Sequence, residues 1–120
     1  MRVVLADDSR VMRQIIIRTL RQAGWRDWQI VQAEDGAQAL ALVLEQEPEL
    51  VLSDWNMPNL TGIELLRTLR LRGYRTPFCF VTSEGSAELR ALAEAAGALG
   101  LIAKPFTAEC FREALEFAVR

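Results

Sequence analysis

Three aspartates stand where strongly apolar runs stop: Asp7 and Asp8 after Val3, Val4, Leu5 and Ala6, and Asp54 after Leu50, Val51, Leu52 and Ser53. The chain's only lysine, Lys104, closes another apolar run and is followed at once by Pro105. If these runs are neighbouring parallel strands, three carboxylates and one ammonium converge at one edge of a sheet. Anions held that closely repel strongly unless a cation joins them. The arrangement therefore implies a divalent metal and a ligand negative enough to need Lys104. That is the chemistry of a phosphoryl group on an aspartate.

Elements that could position these residues are visible in the hydrophobic periodicity. Strand-like apolar runs fall at about 2–6, 28–33, 49–53, 77–82 and 99–103, with helical patterns at about 9–23, 36–46, 62–72, 86–96 and 107–119. Gly24, Pro48, Gly73 and Gly97 sit at or just beyond the predicted helix ends, where a helix is expected to stop. In the first helix Val11, Ile15 and Leu20 are expected on the buried side, with Arg10, Arg13, Gln14 and Arg21 elsewhere. Strict alternation of near-continuous apolar strands with helices argues for an α/β fold, a parallel sheet covered on both faces. Right-handed crossovers narrow this to a doubly wound (βα)5 arrangement of one domain over residues 1–120. In such folds ligands bind beyond the carboxyl ends of the strands, where the strand order reverses. An order of 2-1-3-4-5 would place the first and third strands, with their aspartates, side by side at that point.

Composition removes several classes of function. The 120 residues are 51% hydrophobic with net charge −2, enough for one core and without the basic field that direct nucleic-acid binding needs. No apolar stretch is long enough to span a bilayer. Histidine is absent, which excludes a histidine base, a histidine metal site and a phosphohistidine carried by this chain. Cys79 and Cys110 have no metal or redox spacing and are expected to be reduced and buried in a cytoplasmic protein. Trp25 and Trp28 are expected to form a small packed cover rather than a base-stacking platform, because no basic groove accompanies them.

Each candidate also has a purely structural explanation. Asp8 or Ser9 could cap a helix, Asp54 could cap a turn before Pro58, Thr82 and Ser83 could cap the next helix, and Pro105 could open the last one. Together at successive strand ends, these features are much harder to obtain by chance.

Four strings, Asp7-Asp8-Ser9-Arg10, Ser53-Asp54-Trp55-Asn56-Met57-Pro58 with Gly62, Phe80-Val81-Thr82-Ser83-Glu84, and Lys104-Pro105-Phe106, occur in order along essentially the whole chain. In these the chain resembles the receiver domain of two-component response regulators, and most of all the single-domain CheY-like type. The resemblance implies the doubly wound order 2-1-3-4-5. It implies Asp54 as the phosphoryl acceptor, and Asp7, Asp8, Asp54 and the Asn56 main-chain carbonyl as ligands of Mg²⁺, with Mn²⁺ as an alternative. Lys104 would stabilise charge on the phosphoryl oxygens and Thr82 would donate its hydroxyl to the phosphate. A cis peptide would join Lys104 to Pro105. Asn56 and Glu84, each two residues beyond a motif residue, would tune hydrolysis, and their identity matches the short-lived chemotaxis type. Trp55 would report occupancy of the site.

Implied partners are a sensor histidine kinase or phosphotransfer protein as donor, docking near the first helix. Output goes to a downstream protein target, a fused output domain or a second receiver in a homodimer, at the face of helix 4, strand 5 and helix 5. No membrane or direct nucleic-acid partner is implied. The chain departs from the family at Leu101, where an aromatic side chain is usual; coupling between Thr82 and the output face is expected to be altered.

Rival readings are weaker. A phosphoaspartate hydrolase needs an acid two residues beyond its nucleophile, and both Asn56 and Ser9 fail that requirement. A flavodoxin-like carrier would have Asp7 and Asp8 repelling its cofactor phosphate. A non-phosphorylated interaction scaffold of the same fold is disfavoured by the intact acid set. A receiver excised from a longer response regulator or hybrid kinase stays open.

Overall fold

Strands and helices alternate without exception along the computed structural model, which describes residues 1–118. They are β1 (Arg2–Ala6), α1 (Arg10–Gln22), β2 (Gln29–Ala33), α2 (Gly36–Gln46), β3 (Leu50–Ser53), α3 (Gly62–Leu71), β4 (Phe78–Thr82), α4 (Ala87–Ala95), β5 (Gly100–Ala103) and α5 (Ala108–Leu115). The strands form one parallel sheet of order β2-β1-β3-β4-β5, so the aspartate-bearing strands β1 and β3 are neighbours. Most predicted bounds shift by a residue at an end. The exception is the last helix, expected to reach 119: α5 stops at Leu115, and the Ala118 N–H bonds the Leu115 carbonyl in a tighter turn. Residue 119 lies outside the described residues.

Side-chain alternation divides the core between the two sheet faces, as a period of two requires. Val4, Ala6, Val51, Phe78, Phe80 and Leu101 point to the layer of α2, α3 and α4. Val3, Leu5, Leu50, Leu52, Cys79, Val81 and Ile102 point to α1 and α5, where Phe111 and Leu115 close the layer. Polar caps start the helices: Ser9, Asp35, Thr61, Ser86 and Thr107 each accept from a main-chain N–H one turn on. The α4 cap is thus Ser86, not the Thr82-Ser83 pair, and Pro105 lies before the α5 cap rather than in its first turn.

The first helix departs from its expected face. Val11 is 70% exposed and Ile15 is also exposed, while the buried stripe is Arg13, Ile16, Ile17, Thr19 and Leu20. Residues 13, 16, 17 and 20 have the i, i+3, i+4, i+7 spacing of one helix face, and packing against β1 selected that phase. A second correction concerns the cysteines. Cys79 is buried in the core, and burial pushes its thiol up to about 12. Cys110 is only half-buried, and hydrogen bonding to Thr107 lowers its pKa. Trp25 and Trp28 stack with centroids 4.5 Å apart and cover the α1/α5 side of the core, as expected. Among the described residues no helix is long and apolar enough to cross a membrane.

Candidate functional site

Register brings the acids together. Ala6 of β1 pairs with Ser53 of β3, so Asp7 and Asp54 leave the sheet side by side, and Asp54 N–H bonds the Ala6 carbonyl at 2.8 Å. Beyond β5, the Lys104 N–H bonds the Thr82 carbonyl at 2.9 Å, and the Lys104 side chain reaches back across the sheet edge. Lys104 Nζ lies 3.0 Å from Asp7 Oδ2 and 3.4 Å from Asp54 Oδ2. One oxygen from each of Asp7, Asp8 and Asp54 falls within 4.8 Å of the others. Asp7 is buried, Asp54 half-buried and Asp8 exposed, so the cluster opens to solvent on one side.

Main-chain donors orient the carboxylates through one oxygen each and turn the other oxygen of Asp7 and Asp54 toward Lys104 and the cluster. The Ser9 N–H bonds Asp7 Oδ1 at 2.9 Å, and the Trp55 N–H bonds Asp54 Oδ1 at 2.7 Å. Three hard oxygen donors at this spacing fit a divalent ion such as Mg²⁺, whereas one lysine cannot neutralise three carboxylates. Trp55, next in sequence to Asp54, is buried with its ring against Phe80, 4.6 Å between centroids. Gly62 has a steric reason: its N–H bonds the Trp55 carbonyl at 2.8 Å, and a Cβ there would strike the Asp54 carbonyl.

The other expected residues take the following places. Thr82 is fully buried at the end of β4, and its Oγ1 accepts the Glu84 N–H at 3.4 Å; it makes no hydrogen bond to the three carboxylates. Asn56 Nδ2 donates to Glu84 Oε1 at 3.2 Å, so the two residues expected to tune hydrolysis meet across the pocket mouth. Leu101 pairs with Phe80 across the β4–β5 register and is 5% exposed, packed into the α2/α3/α4 side of the core. The Arg90 Nη1 donates to its carbonyl at 2.9 Å. The Lys104–Pro105 bond is cis.

One site residue was not anticipated. Arg13, expected on a solvated face, is 6% exposed; its Nη1 donates to the Asp7 carbonyl at 2.7 Å and its Nε to Gln32 Oε1 at 3.0 Å. No carboxylate forms an ion pair with it among the described residues. A buried guanidinium thus clamps the main chain of Asp7 from behind. The i, i+3, i+4, i+7 spacing of Arg13 with Ile16, Ile17 and Leu20 was the signal that could have found it.

Fold and site together define a doubly wound α/β protein carrying an acid pocket and a lysine at its topological switch point. The chain matches the response regulator receiver domain over residues 3–116, and it belongs to that family. It is 36% identical over 118 residues to the chemotaxis protein CheY of Pseudomonas aeruginosa, covering 97% of this chain and 94% of that one. Identity to chemotaxis protein CheY-3 of Vibrio cholerae is also 36%, over 97% of this chain and 89% of the relative. Among solved structures, the chemotaxis response regulator CheY4 of Vibrio cholerae superposes with a TM-score of 0.83 at 34% identity, covering 98% and 97% of the two chains. The receiver domain of the Francisella response regulator 1452 gives 0.86 at 27% identity, covering 98% of this chain and 94% of that one. The phosphoacceptor signalling role fits both the family and the pocket.

Proposed function

We propose that Asp54 is the phosphoryl acceptor of a phosphorelay switch. The carrying observation is the bridge from Lys104 to Asp7 and Asp54, with Asp8 completing the acid cluster. An oxygen of Asp54 bonds to phosphorus while the bond from phosphorus to a donor imidazole nitrogen breaks, and the donor histidine leaves with that electron pair. Asp7, Asp8 and Asp54, with the Asn56 carbonyl, would hold Mg²⁺ or Mn²⁺, which supplies charge neutralisation for the incoming phosphoryl oxygens. Lys104 takes up charge on one such oxygen, and Asp54 keeps its second oxygen tied to the Trp55 N–H. Thr82 turns its hydroxyl toward the new phosphate, giving up the Glu84 contact. Asn56 and Glu84, joined at the mouth, govern how readily water reaches the phosphorus.

The donor is a sensor histidine kinase or a phosphotransfer protein in the cytoplasm. Output is through the α4/β5/α5 face, where a concavity of about 380 Å³ lies among Arg90, Leu101, Pro105 and Glu113. It receives a downstream target, a fused output domain or a second receiver. Leu101 replaces an aromatic switch side chain with a buried aliphatic one, so the Thr82 movement is transmitted through packing alone. The test uses tryptophan fluorescence, in which Trp55 is the one beside Asp54, with Mg²⁺ and then beryllofluoride. Successive changes are expected in wild type and none in Asp54→Ala; a response to beryllofluoride that survives the substitution would refute the assignment.

A further inference from the structure

Between Glu64 and Glu84 the chain holds no acid but four arginines, Arg67, Arg70, Arg72 and Arg75, in a protein of net charge −2. None of them takes part in an ion pair among the described residues. Arg70 is instead fixed by three carbonyls, donating to Tyr74 and Thr76 at 2.9 Å each and to Gly97 at 3.1 Å. Those carbonyls hold the guanidinium in place without cancelling its charge. Partial burial, and then the neighbouring Arg75 charge, set Arg70 below the usual guanidinium range.

Beside this unpaired charge runs an apolar cleft. Arg67, Arg70, Leu71, Ala95 and Ala96 line a groove of about 440 Å³ between α3 and α4. Its floor is low because α4 contributes only methyl groups there. Leu71 is 89% exposed, and Arg67 stands one helical turn before it on the same side of α3. A lone exposed leucine needs no explanation. Here it adjoins a groove with room for a large apolar side chain and a rim of guanidiniums that lack carboxylates.

We infer that the α3/α4 groove docks an acidic amphipathic helix of a protein partner, one bulky apolar residue entering between Leu71 and Ala95 and flanking carboxylates meeting Arg67, Arg70 and Arg72. Helix-in-groove recognition uses this pairing of apolar anchors with charge complementarity. A lipid surface is a poorer match, since the apolar part is a recess and the chain as a whole is anionic. Arg70 reaches Thr76 just before β4 and Gly97 just before β5, so the groove lies toward the end of the sheet opposite Asp54 and Lys104. Docking there leaves the acid pocket open.

The probe is a fluorescent synthetic helix with Phe and Leu on one face and Glu beside them; the same helix with Lys for Glu is the control. Anisotropy is read on the full unphosphorylated chain. The Glu helix is expected to bind in the micromolar range, more weakly as salt rises, with the Lys helix at least about tenfold weaker. Arg67→Glu with Leu71→Glu is expected to lose about tenfold or more, with its thermal unfolding close to wild type because both side chains are exposed. Asp54→Ala binds the probe as wild type does, so this result is separable from the phosphoacceptor assignment. Equal binding of the two helices, no binding, or indifference to the Arg67/Leu71 substitutions overturns the proposal. So does the finding that those substitutions abolish self-association in sedimentation, or binding to phosphatidylserine vesicles, while leaving the Glu helix bound.

Discussion

Replacing Arg13 by methionine keeps the aliphatic stem in the core and removes the head that holds Asp7. Two hydrogen bonds are lost, at 2.7 Å to the Asp7 carbonyl and 3.0 Å to Gln32. Bonds to a charged group contribute about 1.5–3 kcal/mol each, which sets a ceiling near 3–6 kcal/mol. Relief from burying a cation without a paired anion offsets part of that, leaving a loss of about 2–4 kcal/mol. At roughly 4 °C per kcal/mol for a domain of this size, Tm falls by about 8–16 °C. Mg²⁺ binding gives the sharper reading because two effects oppose each other. Loss of the positive charge alone would tighten Mg²⁺, whereas a loosened Asp7 weakens it, by about tenfold for a group that supports a metal ligand. Urea unfolding supplies the first quantity and Trp fluorescence titration at 20 °C or so, well below Tm, the second. Arg13→Lys, which keeps the charge and one donor, falls between. Unchanged stability, or tighter Mg²⁺ binding in Arg13→Met than in wild type, would show that Arg13 does not position Asp7.

Gly62→Ala forces a Cβ into the Asp54 carbonyl, so it costs about 1–3 kcal/mol in urea unfolding and lowers phosphorylation by acetyl phosphate. Lys104→Met frees Asp7 and Asp54 from their ammonium, so Mg²⁺ affinity rises while the rate of phosphoryl uptake falls; a parallel fall in both would contradict the division of labour. Asp35→Ala removes the α2 cap and the Asn59 bond, costing about 1 kcal/mol at neutral pH. Donation from the Gln38 N–H, and then from the Asn59 amide, holds the Asp35 carboxyl below its ordinary 3.8 in the folded state, so its contribution is complete above that value and fades as pH drops through the lower folded one. The stability gap between wild type and Asp35→Ala therefore closes in acid. With a neutral-pH thiol reagent Cys110 reacts in the native protein and Cys79 only on unfolding, as timed mass spectrometry would record.

The parallel sheet was legible because most of its strands, β2 with its two glutamines apart, are near-continuous apolar runs, and the acid pocket because Asp7, Asp54 and Lys104 directly follow such strands. Strand order came from the motifs, since periodicity alone does not distinguish which strands are neighbours. Arg13 was missed because a charged residue on a helix is read as solvated; its spacing with Ile16, Ile17 and Leu20 signals burial, but its carbonyl partner on Asp7 is a tertiary contact that no spacing reveals. The same applies to the link between Asn56 and Glu84, which joins two loops distant in sequence. The end of α5 was overestimated because Glu116 and Phe117 continue a helical pattern after Leu115, the last side chain buried in the core among the described residues.

The central claim is that Asp54 accepts phosphate in a metal-supported pocket. Intact-mass and peptide mapping after incubation with acetyl phosphate, with and without Mg²⁺, tests it most directly. One phosphoryl group located on Asp54, gained only with Mg²⁺ and absent from Asp54→Ala, is the predicted result. A phosphoryl group on another residue, or uptake that persists after the metal is chelated, would contradict it.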